Sequence, residues 1–119
     1  RRAAKPDAMP AESEASFQDR VVKTAHSLGW RTFAVRKSAA VSAKTGKLIS
    51  MVTKKGWVDL VLWKNNEIIF WELKSDKGKL SPEQAEVLES LAPLEFIHRV
   101  GCVRPRDWPE IEGVLRGER

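Results

Sequence analysis

Three side chains near the middle of the chain have the types and spacing for joint chemistry: Asp59, Glu72 and Lys74. They lie on or beside two apolar runs, residues 58–63 and 68–73, which flank Asn65-Asn66. Asn tolerates positive φ, so this pair predicts a two-residue hairpin turn. In that register Lys64 faces Glu67, and Asp59 falls opposite Glu72. Directly opposed residues on neighbouring strands hold their Cβ atoms about 4.5–5.5 Å apart, where like charges repel. Such a pair drives one carboxyl toward its neutral form. A divalent cation removes the conflict, because Mg²⁺ takes oxygen ligands from one or two carboxylates together with phosphate and water. Lys74 is two residues beyond Glu72 and therefore shares its strand face. The pattern predicts a metal-plus-cation site for phosphoryl chemistry.

The residues around this trio carry a family resemblance. Asp59 followed by Glu72-Leu73-Lys74 resembles the PD-(D/E)XK nuclease signature. Gly56, three residues before Asp59, and the run Gly78-Lys79-Leu80-Ser81-Pro82-Glu83-Gln84 extend the pattern to G-x-x-D-L, E-x-K and G-x-L-S-x-x-Q. That fuller pattern resembles the VRR-NUC branch of the superfamily. It departs at Val58, where the family usually has Pro, a position that shapes the approach to the strand and holds no ligand. The resemblance covers roughly residues 13–116, with the specific motifs confined to residues 56–84.

The resemblance implies a restriction-endonuclease-like core: an α/β fold with a central mixed β-sheet flanked by α-helices. It implies a Mg²⁺- or Mn²⁺-dependent endodeoxyribonuclease that hydrolyses phosphodiester bonds. Asp59, Glu72 and the Leu73 carbonyl would bind the metal, and Lys74 and Gln84 would complete the catalytic centre. A Glu at the start of the first helix often reaches the metal in this family, which assigns that role to Glu14. A carboxylate in a first helical turn is also favoured by the helix dipole alone, so both accounts of Glu14 stand. Stand-alone members resemble homodimers that cut branched DNA, with Holliday junction resolution in repair and recombination the favoured activity. Flap or nicking cleavage on the same site is the alternative. A catalytically idle nucleic-acid-binding module is a second alternative, and opposed carboxylates argue against it.

Composition is consistent with a polyanionic partner. The formal net charge is +5 and the sequence pI about 9.6. Residues 31–79 hold eleven Lys and Arg against four Asp and Glu, a net of +7 that exceeds the whole chain's. Arg36, Lys37, Lys44, Lys47, Lys54, Lys55, Lys77 and Lys79 are the candidate DNA contacts, since basic residues around a carboxylate site hold a polyanion near a metal. Charge alone is equally served by a well-solvated surface. The single Cys102 excludes an internal disulfide and fits a reducing, cytoplasmic compartment. No apolar run reaches the length of a membrane span, and no secretion signal is expected.

The chain predicts a mobile arm over residues 1–12 and one nuclease-like domain over residues 13–119. Ser13 caps a helix with Phe17, Val21, Ala25 and Leu28 on one face and Gly29 at its end. Residues 31–36 alternate as a strand. Thr45-Gly46 marks a possible hairpin tip between arms at residues 41–43 and 48–52. The central hairpin is apolar on both faces, so it requires cover on both sides. Its Trp residues read as core. Ser81, Pro82 and Gln84 form a capping box with Pro at the first helical position, and the resemblance also aims Gln84 at the active site. Residues 94–103 read as a strand, and Asp107-Trp108-Pro109-Glu110 as a second capping box opening a last helix. His26 and His98 stand on separate elements and make no zinc site.

Overall fold

The computed structural model describes residues 11–35, 39–41, 48–50 and 55–118. In chain order the elements are α1 (Glu14–Ser27), β1 (Arg31–Ala34), β2 (Ala39–Val41), β3 (Leu48–Ser50), β4 (Leu60–Lys64), β5 (Glu67–Leu73), α2 (Pro82–Leu91), β6 (Arg99–Val103) and α3 (Trp108–Leu115). A short 3-10 helix, Pro105–Asp107, leads into α3. Strands β2 and β3 pair with each other as a separate antiparallel hairpin. The predicted tip at Thr45-Gly46 and the first ten residues of the arm lie outside the described residues.

The turn at Asn65-Asn66 forms as its residue types predict. Asn65 adopts φ +56, Lys64 pairs with Glu67, and Leu60 pairs with Trp71. β1 lies antiparallel against β4, and β6 lies parallel beside β5, giving the order β1-β4-β5-β6. Parallel neighbours cannot be joined by a tight hairpin, and α2 fills the crossover between β5 and β6.

Helices pack on both faces of this mixed sheet. Leu60, Leu62, Ile69, Trp71 and Leu73 pack against Phe17, Val21 and Ala25 of α1 and Ile111, Val114 and Leu115 of α3. The indole N–H of Trp30 donates to the Leu115 carbonyl at 2.8 Å, which ties the two helices together in the core. On the opposite face Val61, Ile68 and Phe70 meet Val87, Leu88 and Leu91 of α2. Ser13 caps α1 by accepting the Ser16 N–H at 3.1 Å. Gly29, at φ +92, turns the chain out of the helix. Glu12, at the end of the expected arm, is held by Arg20, whose Nη2 lies 2.7 Å from Glu12 Oε1. The same guanidinium stacks over Trp108, 4.1 Å from the ring centroid.

Four expectations are corrected. The strand expected over residues 94–103 starts only at Arg99, because the Leu94 and Ile97 amides close turns onto Leu91 and Leu94. Those turns carry the chain from α2 to its place beside Ile69. The strand expected over residues 31–36 ends at Ala34, and Phe33 is 60% exposed. Trp63 is 40% exposed although Trp30 and Trp71 are core. Asp107 does not close a capping box onto α3; its carboxylate accepts the Arg104 N–H at 2.8 Å, across the 3-10 helix that Pro105 begins.

Gly56 decides how closely the approach to β4 can pass the start of α2. Its φ is +86, and a Cβ built there would lie 2.5 Å from the Glu83 carbonyl carbon and 2.8 Å from the Gln84 nitrogen. These are backbone atoms of a helical turn and cannot swing aside. Gly56→Ala should therefore destabilise the fold by at least about 2 kcal/mol, from strained φ and overlap together. Urea unfolding measures this, and an unchanged midpoint would contradict the close approach.

Candidate active site

The site is built where the sheet ends against the first turns of α1 and α2. Glu72 stands near the end of β5 and is 1% exposed. A buried carboxylate is costly unless it is hydrogen-bonded and paired. Gln84 supplies the bond: its Nε2 donates to Glu72 Oε2 at 2.7 Å. Lys74 supplies the charge, with Nζ 3.8 Å from the same oxygen. Lys74 Nζ also lies 4.0 Å from Oε1 of Glu14, in the first turn of α1.

Gln84 does two jobs with one amide. Its Oε1 accepts the Ser81 N–H at 2.8 Å while the Gln84 backbone N–H donates to Ser81 Oγ at 3.1 Å, completing the capping box. A backbone N–H demands the amide oxygen and a carboxylate demands the amide nitrogen. The two partners therefore fix which way the side chain points. Gln84 is 8% exposed, so the arrangement is sealed from solvent on that side.

Asp59 stands one residue outside the β4–β5 ladder. Its Oδ2 accepts the Leu73 N–H at 2.9 Å, and its carbonyl accepts the Val35 N–H at 2.9 Å. The register brings Asp59 and Glu72 to the same end of the hairpin, as predicted. The like-charge conflict is eased by protein donors: Leu73 N–H for Asp59, and Gln84 with Lys74 for Glu72. A hollow of about 300 Å³ opens beside Asp59, lined by Glu14, Ala15, Gln18, Asp59 and Leu73.

Glu14, Asp59, Glu72, Leu73, Lys74 and Gln84 are thus gathered at one sheet end. Lys77 and Lys79 stand exposed in the loop that follows β5, and Lys55 is exposed with Nζ 3.7 Å from Glu83. The Glu83 carboxyl is held below the usual carboxylate range, first by a backbone hydrogen bond in the opening turn of α2 and then by Lys55. Arg36, Lys37, Lys44, Lys47 and Lys54 lie outside the described residues. Cys102 is half-buried in β6, and desolvation pushes its thiol up, away from thiolate chemistry.

Two residues at the site escaped sequence reading. Gln18 lines the hollow one helical turn beyond Glu14, and that four-residue spacing was the available signal. Arg104 anchors the loop after Lys74 by donating from Nη1 to the carbonyls of Ser75, at 2.7 Å, and Gly78. Its partners are backbone atoms, so no pattern of residue types could announce it.

The donor set suits a hard divalent ion. Asp59, Glu72, Glu14 and the Leu73 carbonyl offer only oxygen. Among the described residues no three His, Cys, Asp or Glu side chains converge into a protein-only cage, and Mg²⁺ does not need one, since it keeps several of its waters. The hollow has room for them, at about 30 Å³ per water. Comparison with family models, with characterised proteins and with solved structures found no match to the chain. The functional reading therefore stands on the residues themselves.

Gln84→Glu tests the buried bond. Glu at this position still reaches the capping amide, but it sets a second carboxylate against Glu72. Repulsion raises the folded-state pKa of the pair. A group with a raised folded pKa loses stability as pH rises through its unfolded value. The variant should therefore match the native melting temperature near about pH 4 and fall progressively below it toward about pH 7. A constant difference across that range would show that Gln84 and Glu72 are uncoupled.

Proposed function

We propose that this chain is a Mg²⁺- or Mn²⁺-dependent endodeoxyribonuclease with a restriction-endonuclease-like core. The observation that carries the reading is the convergence on one sheet end of a 1%-exposed Glu72, its Gln84 and Lys74 partners, and Asp59, which with Glu14 and Gln18 lines an open hollow. A fold needs no buried carboxylate held by two polar partners next to a second carboxylate that lines a water-sized space. A phosphodiesterase does.

Asp59, Glu72 and the Leu73 carbonyl would hold the ion, with Glu14 at the rim. A bound divalent ion supplies charge against the scissile phosphate and lowers the pKa of the attacking water. Gln84 holds the Glu72 carboxyl correctly turned. The Leu73 N–H keeps Asp59 in one rotamer. Lys74 donates to a phosphate oxygen or to the attacking water and offsets charge that develops in the transition state. The first turns of α1 and α2 both face this end, and helix N-termini favour an anion there. Arg104 acts as a positioning residue for the Lys74 loop.

The substrate in this reading is branched DNA, with the four-way junction favoured and a homodimer providing two symmetric cuts. Flap or nicking cleavage is the alternative on the same residues. Charge without a base-reading motif supports geometry over sequence as the discriminator, because phosphate contacts position a protein without specifying bases.

Labelled four-way junction, flap and linear duplex, each incubated with Mg²⁺ or Mn²⁺, test the reading. Cleavage of the junction ahead of the duplex is expected. Lys74→Ala should slow cleavage about a hundredfold or more while leaving junction affinity nearly unchanged, since one cation among many adds little to binding. Equal loss of binding and cleavage would make Lys74 a docking residue and overturn its catalytic role.

A further inference from the structure

Phe33 and Trp63 are exposed aromatic rings on adjacent strands of the sheet, whereas Phe96, also exposed, lies in the turns before β6. They are 60% and 40% exposed, against 3% and 4% for Trp30 and Trp71. Arg31 pairs with Trp63, and Phe33 pairs with Val61. Alternation along β4 sets Trp63 on the same face as Val61, which packs toward α2. Phe33 and Trp63 are therefore diagonal neighbours on adjacent strands, a separation of about 7–8 Å or somewhat less between Cβ atoms, within reach of aromatic side chains. The apolar face of α2 covers Val58, Val61, Ile68 and Phe70 and leaves these two rings bare.

Charge indicates what covers them. On the face of Trp63, β1 and β4 contribute Arg31 and no Asp or Glu, while Lys64 points to the other face and donates to the Leu28 carbonyl at 2.7 Å. The connection between them, residues 35–58, carries Arg36, Lys37, Lys44, Lys47, Lys54 and Lys55 and again no Asp or Glu. It leaves and returns at the Asp59 end, where the Val35 N–H is bonded to the Asp59 carbonyl. A second copy of this chain placed two-fold on the strip would set Arg31 against its own counterpart, which disfavours association. A polyanion with π faces fits both features. Trp63 stands four residues along from Asp59 on the same sheet face, about 13 Å at the rise of a strand.

We propose that Phe33 and Trp63 form a base-stacking platform for a single-stranded stretch of nucleic acid that runs along β4 toward Asp59. The platform rests on the nuclease reading only for the bond that is cut. Aromatic stacking tolerates any base, so the platform holds an unpaired segment without reading its sequence. Arg31 contacts the backbone beside Trp63. In the DNA substrate, this selects a strand that is splayed open next to the cleaved phosphate.

The test is anisotropy of a fluorescein-labelled oligodeoxythymidylate titrated with protein in EDTA, where no metal-dependent cleavage interferes. Trp63→Ala and Phe33→Ala should each weaken affinity about five- to a hundredfold, with the salt dependence unchanged because no phosphate contact is lost. Trp63→Phe should keep most of the affinity, and Trp63→Gln, polar but without a π face, should lose it as Ala does. Circular dichroism of each variant confirms that the fold persists. Affinity within about twofold of native for both Trp63→Ala and Trp63→Gln overturns the platform, even if metal-dependent cleavage is found. A drop in particle mass by light scattering on Trp63→Ala, with oligonucleotide affinity unchanged, also overturns it and makes the patch a subunit contact. Loss of oligonucleotide binding with no metal-dependent cleavage in the native protein sustains the platform and removes the nuclease reading instead.

Discussion

A carboxylate at 1% exposure sets the terms for this end of the molecule. Glu72 cannot be ionised there unless donors and a positive charge surround it. Gln84 at 2.7 Å and Lys74 at 3.8 Å meet that demand, and each brings an element with it. Gln84 can reach Glu72 only because it is the third residue of α2 and its other amide atom is locked to Ser81. The α2 first turn can sit so close only because Gly56 has no side chain. Lys74 stays near Glu72 while the loop after it is tied by Arg104 to the far edge of the sheet. Removing a partner of a buried charge strands that charge, so these contacts are coupled and their contributions will not add.

The same end collects the N-termini of α1 and α2, and each contributes a first-turn side chain to the site, Glu14 and Gln84. Partial positive charge from the two helices lies where Asp59 and Glu72 are negative. The mixture is suited to an anionic substrate bridged by a cation. In the proposed reading the basic residues of the 31–79 stretch would extend that attraction beyond contact range, screened over about 8–10 Å at ordinary salt.

Much of this was legible in the residues because local chemistry decided it. Asn65-Asn66 dictated the turn, and the turn dictated the register that brings Asp59 and Glu72 to one end of the hairpin. Ser81-Pro82-Gln84 dictated the start of α2 to the residue. Apolar residues on both faces of β5 dictated helices on both sides. What was not legible depended on the third dimension. The Asp59 bond to the Leu73 N–H and the Arg104 bonds to loop carbonyls involve backbone atoms that every residue has. Asp107 had the spacing of a capping box, yet Pro105 began a 3-10 helix and turned its carboxylate toward Arg104. Trp63 had the composition of a core strand, yet it lies outside the cluster that packs against α2 and is 40% exposed.

The central claim is that Asp59 and Glu72 hold a divalent ion at the hollow beside α1. Mn²⁺ titrated into the protein, followed by water-proton relaxation, reads this directly, because bound paramagnetic Mn²⁺ relaxes the waters it retains. The account predicts a saturable enhancement from about one site per chain in the native protein and its loss in Asp59→Asn, whose side chain can still accept the Leu73 N–H. Equal enhancement in the two proteins would contradict it.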